Sequence, residues 1–171
     1  YLGITHSSLA YSNVFQPHEP VNPVVRLRHY GRATSYIKDS ISIFKNIGDG
    51  FLQGWALENL GNVYLMQELW DDAIDIYEEA TKLGYNSGLV HLSLAICYNN
   101  YYDSNIKYDH VCKVAHELIN IPGMNDYDLA RLEANCGDRN KAFKLLESAL
   151  EGGETNVNLI KRDPHLRSIS D

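Results

Sequence analysis

Residues 57–84, LENLGNVYLMQELWDDAIDIYEEATKLG, carry two apolar stripes at helical spacing with a break between them. In the first, Leu57, Leu60, Gly61, Tyr64 and Leu65 recur every three or four residues, which puts them on one side of a helix. Leu69-Trp70-Asp71-Asp72 interrupts the pattern, and its acids stand where the positive end of a second helix dipole favours them. The second stripe runs Ala73, Ile74, Tyr77, Ala80 and Thr81 and stops at Gly84, a residue suited to a C-terminal cap. The stretch predicts two short antiparallel helices joined by a tight turn. Packed helix axes approach to about 8–10 Å when small side chains sit at the crossing. Gly61, Ala73 and Ala80 fit that role, with Tyr64 and Tyr77 filling the space beside them.

The spacing returns on both sides. Leu94, Ala95 and Tyr98 repeat Leu60, Gly61 and Tyr64 at an offset of 34 residues. Leu129 and Ala130 are followed by Gly137-Asp138, then by Ala142, Leu146 and Ala149, which reproduce the intervals of Ala73, Tyr77 and Ala80. Upstream, Ala33, Ile37 and Ser40 share those intervals, followed by Ile41, Phe44 and the break Ile47-Gly48-Asp49-Gly50. Self-similarity of this kind marks supersecondary units that bury their apolar faces by stacking. Sustained strand alternation is not seen.

At these residues the sequence resembles the tetratricopeptide repeat, as found in arrays of bacterial regulators. That phrase has a large residue, Leu-Gly or Leu-Ala, an aromatic three later, then Ala, an aromatic four later and Ala three after that. Leu57, Leu60, Gly61, Tyr64, Ala73, Tyr77 and Ala80 fill all seven places. The resemblance implies an all-α solenoid, a right-handed superhelix of antiparallel helix pairs with about 3.5–4 units. The repeat domain would span 1–153, with helical units at 24–48, 52–84, 87–121 and 124–152. Residues 1–12 read as a partial first helix. Residues 13–23 read as a loop, because Pro17, Pro20 and Pro23 forbid a continuous helix there. Residues 154–171 read as a capping segment cut short at Asp171, and Asp163-Pro164-His165-Leu166-Arg167 resembles the closing segment that follows such arrays in some regulators.

The units depart from the phrase in places. The third has Tyr108, Cys112 and Ala115 where Ala, an aromatic and Ala are expected, with one extra residue around 99–105. The fourth has Glu133 in the aromatic place, and Tyr85 stands where a closing proline is common. Ala33 precedes Ala73 by 40 residues, a longer interval that is also a known variety of the family.

Composition limits the function. The chain has 171 residues, 44% hydrophobic and 22% charged, which is globular and not disordered. Its formal charge of −7 argues against sequence-independent nucleic-acid binding. The charge is uneven: residues 1–50 are net basic and residues 51–100 strongly acidic. No apolar run is long enough to span a membrane. Cys97, Cys112 and Cys136 are odd in number and widely spaced, so the expectation is free thiols in a reducing, cytoplasmic setting. No leader is visible, and the initial Tyr reads as a fragment of a longer chain.

Catalytic motifs are missing: there is no phosphate loop, nucleophile elbow or His-Glu-x-x-His pair. Gly48, Gly50 and Gly54 read as helix punctuation. Cys112 and His116 lie four apart and can share a helix side as zinc ligands do, with His110, His91 and Cys97 the other candidates. Cys112 also falls on the buried stripe, where a cysteine acts as a small hydrophobe, and this reading is preferred. Asp71, Asp72, Asp75, Glu78 and Glu79 read as a solvated helix face, and Tyr101 and Tyr102 as a turn or contact surface. The expectation is a non-enzyme with no metal and no cofactor.

By the resemblance, function lies in the concave groove lined by the first helix of each pair. It places Trp55, Glu58, Asn59, Asn62 and Met66 there, then Leu89, Ser93, Ile96 and Asn100, then Tyr127, Asp128 and Arg131. Asn62 falls where related arrays hold a peptide backbone, which suits an amide that both donates and accepts. Arg131 is the only cation of this lining, so an uncharged or partly apolar peptide, or a helix, fits better than an acidic tail. A protein-binding module, the sensing or scaffolding part of a larger protein, is the first reading. A self-association element without a groove ligand is the second, and a zinc-binding or hydrolytic domain the remaining one.

Overall fold

The computed structural model describes residues 23–85, 87–101, 105–119, 125–161 and 163–169. Among them there is no strand, and the helices pack in consecutive pairs, the all-α arrangement of a repeat solenoid. The chain divides into two compact units, Tyr1–Tyr85 and Asn86–Asp171. The anticipated helix at 1–12 and the loop as far as residue 22 lie outside the described residues, as do residues 102–104 within the 99–105 stretch expected to hold the extra residue of the third unit.

The first unit contains α1 (Pro23–Ile47), α2 (Gly50–Met66) and α3 (Trp70–Lys82). Pro23, expected at the end of the loop, instead opens α1, where a missing N–H costs nothing and the fixed φ favours the first turn. Gly48 ends α1 at φ 73°, a left-handed conformation that glycine adopts without a Cβ clash. Asp49 then caps α2, its carboxylate accepting from Leu52 N at 2.9 Å. Tyr30, Ala33 and Ile37 of α1 meet Ala56, Leu60 and Val63 of α2 in one apolar cluster, with Ile41, Phe44, Tyr64 and Met66 against it.

Helices α2 and α3 cross where the small residues sit. A Cβ on Gly61 would lie 2.4 Å from Cε1 of Tyr77, so only glycine lets the phenol ring lie against the α2 backbone. Gly54 departs from the punctuation reading. It lies inside α2, and a Cβ there would stand 2.2 Å from that of Tyr85, the residue in the closing-proline position. Gly61–Tyr77 and Gly54–Tyr85 lie nearly evenly about the α2–α3 turn, the signature of antiparallel packing. Asp71, Asp72, Asp75 and Glu79 are exposed on α3, as a solvated face requires.

The second unit contains α4 (Gly88–Tyr101), α5 (Asn105–Ile119), α6 (Asp126–Cys136), α7 (Arg139–Glu151), the single turn α8 (Val157–Ile160) and a 3-10 helix (Pro164–Ile169). Asn125, Asp138 and Asn156 cap α6, α7 and α8 through their side chains. Residues 90–98 of α4 are buried on every side, Ala95 and Tyr98 included. Ala115 of α5 is fully buried too. Ala130 of α6 and Ala142 and Leu146 of α7 form a cluster completed by Leu166 and Ile169 of the 3-10 helix, and Ala149 is also buried.

The cysteine expectation is corrected here. Cys112 on α5 is disulfide-bonded to Cys136 on α6, with Cα atoms 5.3 Å apart. Antiparallel packing of α5 on α6 brings together two residues separated by 24 positions, and the same register sets His116 Nε2 3.9 Å from Glu133 Oε1. The bond removes the cysteine argument for a reducing setting. Cys97 remains a free thiol, its pKa pushed up to about 12 by burial.

Candidate functional site

The face of α2 assigned to a groove is half-buried at Trp55, Glu58, Asn59, Asn62 and Met66. Asn62 Oδ1 accepts from the Tyr77 hydroxyl at 2.8 Å, so the repeat tyrosine orients this amide. The carbonyl end of the amide is therefore engaged within the pair. Glu58 accepts from the Tyr85 hydroxyl at 2.6 Å, and burial followed by this bond and the carboxylate charge raises the Tyr85 pKa. Asn59 Nδ2 donates to the Trp55 carbonyl at 2.8 Å, and Met66 also packs on the apolar cluster.

The groove candidates of the second unit divide differently. Asn100 is exposed and donates to the Ile96 carbonyl at 2.8 Å. Ile96 is buried, and so is Ser93 at 2% exposure. The side chains of Tyr101 and Tyr102 lie outside the described residues. Ser93, Tyr127 and Arg131 converge, but on the chain's own Asp163 and His165. Asp163 accepts from the Tyr127 hydroxyl at 2.6 Å and forms an ion pair with Arg131, its Oδ2 3.2 Å from Nε, while Arg131 Nη1 also reaches Asp128 at 2.9 Å. His165 Nε2 lies 3.1 Å from Ser93 Oγ, and its Nδ1 lies 2.8 Å from Arg131 Nη2 and 2.9 Å from Asp163 Oδ1. Asn135 Nδ2 donates to the His165 carbonyl.

Local chemistry explains why the closing segment folds this way. Asp163 precedes proline, and its carboxylate accepts from the His165 backbone N–H at 2.8 Å, capping the 3-10 helix that Pro164 starts. Burial works to raise the Asp163 pKa, but the charges of His165 and Arg131 and the hydrogen bonds from His165 and Tyr127 outweigh it and hold the carboxyl well below its usual range. Burial, reinforced by Arg131, lowers the His165 pKa, against the opposing pull of Asp163 and Asp128. Glu133, in the aromatic place of the phrase, is held ionised: burial is outweighed by Lys141 at 2.5 Å, the Asp138 N–H and His116.

Ser93, His165 and Asp163 have the order of a nucleophile, a base and a carboxylate. A catalytic relay needs Nδ1–H directed to the carboxylate and a serine open to substrate. Here a guanidinium competes for Nδ1 and the hydroxyl is buried, so the group acts as a polar brace. Among the described residues, no cluster of three or more His, Cys, Asp or Glu side chains is placed to hold a metal ion. The zinc candidate Cys112 is tied up in the disulfide.

The brace makes a pH prediction. A histidine whose folded pKa is depressed binds fewer protons folded than unfolded, so stability falls as pH drops below about 6.5, the ordinary value. The depressed Asp163 adds a second loss below its ordinary 3.8. Urea midpoints at pH 7.5 and 5.5 should therefore differ, the lower pH being less stable, and a His165→Ala chain should show a shallower difference.

Asp163, His165 and Asn135 were not picked out by sequence as site residues. The Asp-Pro-His run was visible, but its partners lie 30 to 72 residues upstream.

A family model described as tetratricopeptide repeat matches residues 54–83, the stretch that forms α2 and α3. No curated protein and no solved structure matches the chain. The α2–α3 pair thus matches a tetratricopeptide repeat, set within a chain whose described helices pack in consecutive pairs.

Proposed function

We propose that the chain binds a segment of another protein along the α2 face of its tetratricopeptide repeat, as the sensing or scaffolding part of a larger protein. The repeat makes it a protein-interaction module in general. The observation supporting the specific surface is Asn62, whose amide is oriented by Tyr77 in the middle of a half-buried face. Trp55 and Met66 supply apolar area and Asn59 a second amide, which suits an uncharged or partly apolar segment. The test is binding to an array of uncharged and partly apolar peptides, comparing the wild-type chain with Asn62→Ala. Loss of one well-placed hydrogen bond predicts binding about tenfold weaker, with helical content unchanged by circular dichroism. Equal binding by a folded variant would remove the groove reading.

A second reading, self-association, has its own observation. Val24, Leu27, Ile43 and Ile47 of α1 are 58–65% exposed, and Phe51 at the start of α2 is 71% exposed. Apolar surface of this kind is characteristic of contact sites. Sedimentation at several concentrations separates the two readings, since a strictly monomeric chain argues against this one.

A further inference from the structure

The closing segment touches the second unit as a bound peptide would. Its carboxylate is clamped by Tyr127 and Arg131, and its imidazole meets Ser93. Asn135 reads the His165 backbone carbonyl, and the Ser168 hydroxyl donates to the Ala134 carbonyl at 2.7 Å. Leu166 and Ile169 seat on Ala130, Ala142 and Leu146. Leu166 and Ile169 are spaced by three residues, which in a 3-10 helix lines side chains along one edge, and Asp163 stands three residues before Leu166 as the cap. A charged clamp, an amide on a backbone carbonyl and two apolar anchors in a row form a recognition pattern for a short segment, not only a packed terminus.

We infer that this seat on α4, α6 and α7 is a peptide-binding site occupied in cis by residues 163–169, and that its external ligand is a protein segment with an acidic residue followed three and six positions later by apolar residues. The inference rests on the interaction-module reading but uses different residues from the α2 face. Three of the seat residues, Ser93, Tyr127 and Arg131, are positions the family resemblance assigns to ligand contact. The resident segment is joined to α7 by about a dozen residues, which gives it an effective concentration on the order of millimolar. A partner segment must therefore outcompete a tethered rival, and weakening the rival opens the seat.

The experiment uses a fluorescent peptide copying residues 161–171, titrated by anisotropy into the full chain. An Asp163→Ala/His165→Ala chain is expected to bind it at least tenfold more tightly than wild type. A peptide with its two apolar anchors changed to alanine should lose that gain. A folded double variant that ignores the peptide, or binds a scrambled one equally, overturns the inference. If the double variant does not fold, His165→Ala alone, which keeps the carboxylate and both anchors, should gain at least threefold, and no gain overturns the inference. Asn62→Ala added to the double variant should leave this affinity within twofold. A seat that fails while the α2 face still binds its array peptides defeats this inference alone.

Discussion

An Asp163→Ala chain is expected to lose about 3–5 kcal/mol of stability, the range for removing one partner of a buried ion pair. The carboxylate is nearly inaccessible and collects a guanidinium, a phenol and an imidazole, so its loss takes one partner from each of three polar groups. Arg131 retains Asp128 at 2.9 Å, which favours the lower end of the range. Tyr127 and His165 lose an acceptor, and the 3-10 helix loses its cap. Asp163→Asn keeps the volume and one acceptor oxygen and should recover part of the loss. Urea unfolding followed by far-ultraviolet circular dichroism measures both, and an unchanged midpoint for the alanine chain would refute the brace.

Gly61→Leu is expected to cost about 1–3 kcal/mol or more, the range for overpacking a filled interior. The upper part of the range is favoured, because even the first carbon of a side chain would meet the Tyr77 ring at 2.4 Å. Tyr77 is fully buried and its hydroxyl is held by Asn62, so the ring has no open direction in which to swing. The helices must separate, and that loosens Ala73 and Ala80 as well. Thermal unfolding should show a lower midpoint, with Gly61→Ala intermediate. A Gly61→Leu chain that melts with the wild type would mean that α2 and α3 cross elsewhere.

The crossing was legible in the sequence because its residues lie within one 28-residue stretch and obey one helical period. Gly61, Ala73, Tyr77 and Ala80 need no knowledge of the rest of the chain to be placed. Helix α4 shows the opposite condition: with residues 90–98 buried on every side, its polar–apolar contrast vanishes, and Ser93 and Ile96 looked like surface positions. The Cys112–Cys136 bond depends on the register of α5 against α6, which no local spacing encodes. The same holds for Arg131. Its isolation as the sole cation of the lining was readable, but the carboxylate that claims it comes from a segment 32 residues away. Asn62 was readable as an amide in a ligand position, while its bond to Tyr77 required the two helices to be folded together.

The disulfide also bears on how the array comes apart. Stacked repeats are held mainly by nearest-neighbour interfaces, and unravelling advances from an end one joint at a time. Cys112 and Cys136 rivet the second helix of one pair to the first helix of the next. Peeling from the carboxyl end can strip the terminal turn and α7, but it halts at a seam that heat or urea cannot open, and rewinding starts from a joint already made.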